Sequence, residues 1–181
     1  PVKINSTEDS KECGIGMIFQ ELSLIPTLTV EENIYLNHEL KEKGFLNKKE
    51  MRKNAEALLK DLEIDVDVTK KIQKLEVGVC QLVEIAKALS VERKVLIMDE
   101  PTRGIDVAAK VEIYNLMNEL KKQGIAVMFV SSEMPEVMGI ADRIIVMCDG
   151  RITGELDARN TTQNEILTLA TQFEKKIAAN A

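Results

Sequence analysis

The stretch Lys94-Val95-Leu96-Ile97-Met98-Asp99-Glu100-Pro101-Thr102 is an apolar run that ends in two adjacent carboxylates. A continuous apolar run of this length predicts a strand buried on both faces, as in a parallel sheet. Asp99 and Glu100 stand where that strand would end, and Pro101 stops the extended run. Open α/β sheets bind ligands at the carboxyl ends of their strands, so the doublet stands at the expected place for a site.

Two carboxylates at such an edge can support hydrolytic chemistry. One can hold Mg²⁺ through oxygen, while its neighbour orients or deprotonates a water molecule. The alternative is a strand end capped by solvated acids. The doublet alone leaves both interpretations open, and the flanking sequence has to decide between them.

Composition limits the class of protein. The 181 residues are 45% hydrophobic, which predicts one globular domain with a substantial core. Aromatic residues make up 3%, Trp is absent, and the formal net charge is -6. Base stacking and a broad nucleic-acid interface are therefore disfavoured.

The cysteines and the single histidine argue against a metal cluster and a disulfide framework. Cys13, Cys80 and Cys148 are far apart, which favours reduced thiols in a cytosolic protein. Cys80 and Cys148 stand among apolar residues and are expected in the core, whereas His38 is expected on the surface. No apolar stretch is long enough to span a membrane and no signal peptide is visible, so any membrane role is expected to involve a partner.

Strand and helix patterns alternate along the chain. Apolar runs at 14–20, 94–98 and 125–130 predict buried strands, and helical spacing between them predicts an α/β fold with a mainly parallel sheet and flanking helices. The predicted boundaries are a core sheet from 12–20 and 93–158, an inserted helical subdomain at about 21–92, and a C-terminal helix at 159–181.

Local signals place several helix ends and turns. Thr29 with Glu32, and Thr162 with Glu165, have the spacing of capping boxes. A charged turn is expected at 41–45, and a hairpin turn at Asp149-Gly150. Asp106 is expected to cap a helix that ends at Gly124. The apolar face of that helix would contain Val111, Ile113, Leu116, Met117 and Leu120.

The order of these features resembles the nucleotide-binding domain of ABC transporters, a P-loop NTPase-like core. The closest resemblance is to the ATP-binding subunit of monosaccharide importers of the ribose, galactose and xylose type. The stretch "GIGMIFQELSLIPTLTVEENIYL" is similar to that family's Q-loop region, "VEIAKALS" to the helix behind its signature motif, and "DEPTRGIDVAAKVEIY" to its Walker B motif and D-loop. The resemblance covers roughly residues 12–157.

The resemblance implies roles for individual residues. Asp99 matches the Walker B aspartate that supports Mg²⁺, and Glu100 matches the general base that polarises the attacking water. Gln20 matches the Q-loop glutamine, which senses Mg²⁺ and the γ-phosphate. Asp106 matches the D-loop aspartate that contacts the partner domain, a role compatible with helix capping.

The signature stretch and the switch position depart from the family's usual motifs. Where the family reads L-S-G-G-Q, this chain reads Leu75-Glu76-Val77-Gly78-Val79, which retains Gly78 as a nucleotide-binding position. Glu76 replaces a serine that donates to the γ-phosphate of the opposite subunit, and an ionised carboxylate would repel that anion. Ser132 occupies the position of the switch histidine.

The P-loop pattern G-x-x-x-x-G-K-[ST] does not occur in these 181 residues. Its backbone N–H groups and lysine would cradle the β- and γ-phosphates. The chain therefore looks truncated at the front. We expect that, by itself, it neither binds ATP tightly nor hydrolyses ATP. Residues 14–98 resemble the first cassette of the two-cassette family subunit and 102–157 the second, which suggests an internal deletion that joins them.

The resemblance implies an ATP-binding and ATP-hydrolysing component of a sugar importer, with ATP and Mg²⁺ as cofactors. The implied partners are a permease subunit and a second ATPase cassette, the implied location is cytoplasmic at the inner face of the cell membrane, and no nucleic acid is expected. The alternative is a non-catalytic interaction module that docks to a permease or to an intact cassette through the region from Gln20 to Tyr35. A DNA-maintenance ATPase is disfavoured by the charge.

Without the P-loop strand, an apolar sheet surface or an open edge is expected, with self-association through it.

Overall fold

The structure is a computed structural model that describes residues 3–172. The helices in this range are α1 (Thr7–Glu12), α2 (Val30–Ile34), α3 (Lys48–Asp61), α4 (Val77–Leu89), α5 (Val107–Lys122), α6 (Met134–Ile140) and α7 (Gln163–Ala170). The strands are β1 (Ile15–Ile18), β2 (Lys41–Glu42), β3 (Phe45–Leu46), β4 (Val95–Asp99), β5 (Ala126–Val130), β6 (Arg143–Cys148) and β7 (Arg151–Asp157). The chain divides into two compact units, Pro1–Val130 and Ser131–Ala181.

The central element of the first unit is a three-stranded parallel sheet in the order β1–β4–β5. Met98 of β4 is in register with Ile18 of β1 on one side and with Phe129 of β5 on the other. The parallel α/β sheet expected from the sequence is confirmed. Because the strands all run in one direction, their carboxyl ends meet at the same edge.

The two faces of this sheet differ in burial. Leu96 and Met98 of β4 are completely buried on one face. On the opposite face, Met17 of β1 and Met128 of β5 are 50% and 52% exposed. The expectation of a second buried strand is wrong for β5, because β5 is an edge strand whose residues alternate between exposed and half-buried. The apolar run of β5 therefore reflects a strand that is covered on one face of the sheet and open on the other.

Helix α2 of the insertion packs against both α3 and α4. Thr29 and Glu32 form the expected capping box at the start of α2, and Asn47 caps α3. The expected charged turn at 41–45 is instead a short hairpin of β2 and β3. Lys43 and Gly44 both have positive φ, which is the backbone of a two-residue hairpin turn. The core of this region is formed by buried apolar side chains: Val30, Ile34, Met51, Ala55, Leu59, Leu82, Val83, Ile85 and Ala86.

His38 does not lie free on the surface as expected. It is half-buried, with Nε2 at 2.9 Å from Ser90 Oγ and Nδ1 at 3.1 Å from the Leu36 carbonyl oxygen. Cys80 and Cys148 are buried as expected, and burial raises the pKa of the Cys80 thiol. Within residues 3–172, no helix combines the length and apolarity needed to cross a bilayer.

Helix α5 begins and ends where its sequence signals predict. The Asp106 carboxylate accepts hydrogen bonds from the N–H groups of Ala108 and Ala109, and Gly124 follows the helix with φ of 86°. The apolar face is narrower than expected, because Val111 is 50% exposed. The side chains that α5 buries are Ile113, Leu116, Met117 and Leu120.

The second unit contains α6, the β6–β7 hairpin and α7. Asp149 and Gly150 both have positive φ at the predicted hairpin turn, and Thr162 with Glu165 forms the predicted capping box. The hairpin is a separate two-stranded sheet with its own core of Ile144, Val146, Ala158 and Ile166. Of the helix expected at 159–181, the portion from 173 onward lies outside the described residues.

The capping carboxylate of Glu32 makes stability depend on pH. The hydrogen bond from the Thr29 N–H holds the pKa of Glu32 below its ordinary value of 4.5. Its stabilisation is therefore complete above that value and is lost as the pH falls through the lower pKa of the folded chain. We expect Glu32→Gln to lower the free energy of unfolding by up to about 1 kcal/mol near pH 7, and by less at an acidic pH below the ordinary pKa of 4.5. Denaturant titrations at both pH values measure this, and an equal difference at the two values would contradict it.

Candidate functional site

The carboxylate doublet is fixed at the carboxyl edge of the parallel sheet. Asp99 is the last residue of β4 and is in register with Val130 of β5. The Glu100 N–H donates to the Val130 carbonyl oxygen at 2.9 Å, so the bonding to β5 continues past the end of β4. Pro101 and Thr102 are buried directly behind the doublet, while both acids are half-buried. The strand end therefore holds both residues at the edge.

Glu100 has an unusual backbone. Its φ of 47° lies in the left-handed region, which costs a non-glycine residue on the order of 1–3 kcal/mol. The bond to Val130 helps to hold this conformation. Strained residues of this kind cluster at functional sites, so the geometry agrees with a chemical role for Glu100.

Gln20 belongs to the same edge. It is exposed and stands two residues after Ile18, the last residue of β1. Ile18 is in register with Met98, the residue before Asp99. Parallel pairing therefore brings the chain at Gln20 and the carboxylate doublet to the same end of neighbouring strands.

Gly78 and Asp106 meet through the packing of two helices. Gly78 is buried in the first turn of α4, where an added Cβ would lie 2.4 Å from the Cβ of Ala109. Ala109 is one of the residues whose N–H binds the Asp106 carboxylate. The close packing of α4 on α5 therefore requires glycine at position 78, a requirement that the motif comparison does not reveal. Glu76, at the N-cap of α4, is exposed and makes no capping hydrogen bond.

Ser132 belongs to the second unit, two residues along the chain from Val130, and it is exposed. The neighbouring Ser131 has a clear structural role there. Its hydroxyl donates to the buried Glu136 carboxylate, and its oxygen accepts the Glu133 N–H at 3.0 Å. These bonds fix the start of α6, a function that the sequence pattern did not reveal.

The residues at the sheet edge suit a divalent cation better than they suit a phosphate. Asp99 and Gln20 offer carboxylate and amide oxygens, which are ligands that Mg²⁺ accepts while it keeps several waters. Among residues 3–172, no group of three or more His, Cys, Asp and Glu side chains is arranged to hold a metal by itself. Mg²⁺ would therefore need further oxygens from a bound phosphate and from water.

Two buried polar residues of the insertion escaped the sequence analysis. Glu84 on α4 is 7% exposed, and Asn33 on α2 is fully buried. Both bind the loop that carries Gln20. The stretch "VEIAKALS" gave no sign of this, because an acid in an amphipathic helix ordinarily faces solvent.

Comparison with known proteins places this geometry in a family. The sequence profile described as ABC transporter matches residues 2–103, which is more than half of the chain. The chain belongs to the ABC transporter family. The fold agrees: a dimeric ATP-binding cassette, MJ0796, solved in a post-hydrolysis state with ADP and Pi, superposes with a TM-score of 0.70 and 30% identity, covering 87% of this chain and 69% of that one.

Curated relatives are named as sugar import proteins. The ribose import ATP-binding protein RbsA of Bacillus subtilis is 42% identical over 174 residues, which cover 93% of this chain and 35% of that protein. The galactose/methyl galactoside import ATP-binding protein MglA of Clostridium tetani is 40% identical over 179 residues, covering 95% of this chain and 36% of that protein.

The chain spans about a third of the length of these relatives. The suggested junction between two cassettes near Asp99–Thr102 stays a prediction.

The contact between Gly78 and Ala109 can be tested by stability. We expect Gly78→Ala to lower the free energy of unfolding by about 1–3 kcal/mol, because α4 and α5 must separate to admit the methyl group. Adding Ala109→Gly should restore most of that loss, since it removes the clashing atom. Gly139→Ala in α6 is the matched control, because nothing lies within 4 Å of its added Cβ. A double variant no more stable than Gly78→Ala would contradict the packing role.

Proposed function

We propose that the chain provides the Mg²⁺-binding and water-orienting part of an ATP-hydrolysing site in an ABC-type importer of a ribose- or galactose-like sugar. The observation that carries the proposal is the doublet Asp99–Glu100 at the end of the central parallel strand, with Gln20 at the same edge. The sugar class is supported by the names of the relatives, which are ribose and galactose/methyl galactoside import proteins.

Each residue has a separate task in this proposal. Asp99 and Gln20 are the oxygen donors that would hold Mg²⁺, which neutralises phosphate charge when it is bound. Glu100 accepts a hydrogen bond from the attacking water and draws off its proton. Asp106 and Gly78, joined through Ala109, would face the nucleotide of a second cassette, and Ser132 would take the position of the switch residue.

The phosphate-binding half of the site is the part these residues do not supply. The printed sequence has no glycine-rich lysine loop to cradle the phosphates. Glu76, next to the first turn of α4, places a negative charge where a γ-phosphate would approach. We therefore propose an incomplete domain that binds ATP weakly alone and needs a cradle from outside these 181 residues.

A second candidate function is a non-catalytic module that docks to a permease or to an intact cassette. A groove of about 170 Å³ in the insertion favours it. Four of its eight lining residues are apolar and three are glutamates, which suits an apolar segment carrying a basic side chain. The groove is lined by Leu28, Glu31, Glu32, Leu36, Glu39, Leu46, Lys48 and Met51. In either function the chain would lie at the cytoplasmic face of the membrane, held there by the permease.

Titration with labelled ATP distinguishes the two functions. We expect no micromolar binding of Mg²⁺-ATP by the chain alone. With an intact cassette present, binding and hydrolysis should appear, and Asp99→Asn and Glu100→Gln should each reduce hydrolysis at least about 100-fold. Asp149→Asn, at the tip of the β6–β7 hairpin, removes an equal charge and is the control.

Two outcomes would overturn the first proposal. If the chain alone binds Mg²⁺-ATP at micromolar concentration, the absence of a phosphate-binding loop does not weaken ATP binding. If the pair forms but hydrolysis is indifferent to Asp99→Asn and Glu100→Gln, the chain is a docking module.

We also propose that the chain self-associates through the open side of its parallel sheet. Met17, Met128 and Val130 are about half exposed on one face, beside the edge of β5 that pairs with no further strand within residues 3–172. Exposed apolar faces and unpaired edge strands both favour association.

Sedimentation velocity tests this association. We expect the wild type to form dimers or larger species, and Met128→Lys to shift it toward the monomer because a charge then lies on the shared face. Ile152→Lys on β7 is the control, since Ile152 is 69% exposed but lies in the separate β6–β7 sheet. A wild-type monomer that melts cooperatively at all concentrations would contradict the proposal.

A further inference from the structure

The loop between β1 and α2 is fastened to the middle of α4 by one buried carboxylate. Glu84 is 7% exposed, and both of its oxygens bind Ser23 of the loop. Oε1 accepts a hydrogen bond from the Ser23 hydroxyl at 2.5 Å, and Oε2 accepts one from the Ser23 N–H at 3.2 Å. A carboxylate removed from water is costly unless it is hydrogen-bonded, so loss of these bonds would be strongly unfavourable.

Lys87, one turn further along α4, binds the same serine. Its Nζ donates to the Ser23 carbonyl oxygen at 3.2 Å and to the Ser23 hydroxyl oxygen at 2.9 Å. The N–H, hydroxyl and carbonyl groups of Ser23 are therefore all bonded to two residues of one helix. This arrangement fixes the orientation of Ser23 as well as its position.

Beyond Ser23, the loop is held to the inserted helices. The buried Asn33 accepts the Ile25 N–H at 2.7 Å and donates to the Ile25 carbonyl oxygen at 3.1 Å. The Pro26 carbonyl oxygen accepts the Gln73 N–H at 3.0 Å. The loop from Ser23 onward therefore moves with the insertion.

Before Ser23, the loop is a short exposed span. Phe19 is 59% exposed and Leu22 is 37% exposed, with Gln20 and Glu21 exposed between them. This span joins the sheet, at Ile18, to the fastened serine. Because four residues separate the two anchors, the position of Gln20 depends on where Ser23 is held.

Helix α4 also contacts α5, the helix that begins after Asp106. Gly78 in its first turn packs against Ala109, beside the Asp106 cap. Glu84 is six positions after Gly78, which is roughly 9 Å along a rigid helix. A single helix thus connects the loop of Gln20 to the helix start at Asp106.

We propose that Glu84 is a positioning residue that acts through Ser23 to hold Gln20 at a set place relative to α4. A movement of the inserted helices is then passed to Gln20 through Ser23. The fastening rests on the contacts alone, whereas its effect on hydrolysis rests on the proposed function of Gln20.

Amide hydrogen exchange on the full chain tests the fastening. We expect Ser23→Ala and Glu84→Gln to speed exchange at residues 19–24 by about tenfold or more, with exchange in α3 little changed. Ser23→Thr keeps the hydroxyl and should behave like the wild type. Unchanged exchange at residues 19–24 would overturn the proposal, and so would an equal increase throughout the first unit, which indicates general destabilisation.

Steady-state hydrolysis tests the consequence for Gln20. With an intact cassette and the permease present, we expect Ser23→Ala and Glu84→Gln to lower kcat several-fold without changing KM, and Ser23→Thr to retain activity. Faster exchange at residues 19–24 with an unchanged kcat would overturn the positioning role. If the wild-type assembly shows no hydrolysis that depends on Glu100, the proposed function has failed, and exchange alone then decides whether Glu84 fixes the loop.

Discussion

The parallel pairing of β4 between β1 and β5 is the constraint on which the candidate site depends. Strands that run in one direction bring their carboxyl ends to one edge, so residues far apart in sequence become neighbours there. Gln20 and the Asp99–Glu100 doublet reach that edge through the register of Ile18 with Met98. The bond from Glu100 to Val130 then holds a strained backbone in place. Positioning here comes from sheet geometry before any ligand is considered.

The same sheet accounts for an energetic weakness. One face of the sheet is covered, and Leu96 and Met98 on it are completely buried. On the opposite face, Met17 and Met128 are half exposed. Burial of such side chains contributes about 25 cal/mol per Å², so this open face forgoes stabilisation that a covering element would provide. The chain aligns with about a third of its relatives' length.

Local signals in the sequence predicted the elements well, because capping boxes, Asp106, Gly124 and the Asp149–Gly150 turn act within a few residues. Burial was predicted less well. An apolar run cannot tell an edge strand from a central one, so the exposure of β5 was missed. The contacts of Glu84 with Ser23 and of His38 with Ser90 join residues more than fifty positions apart, and no local pattern encodes them. The Asp99–Glu100 doublet could be found in the sequence because it stands at the end of its own strand. The contact that requires glycine at position 78 involves Ala109 of another helix and could be seen only in the structure.

The central claim is that the carboxyl edge of the parallel sheet holds the metal. Paramagnetic broadening of amide resonances, with Mn²⁺ replacing Mg²⁺ in the presence of ATP and an intact cassette, measures this directly. The account predicts broadening centred on Gln20, Asp99 and Glu100, and its loss in Asp99→Asn. Broadening centred instead on the acidic groove at Glu31 and Glu39, or broadening that persists in Asp99→Asn, would contradict it.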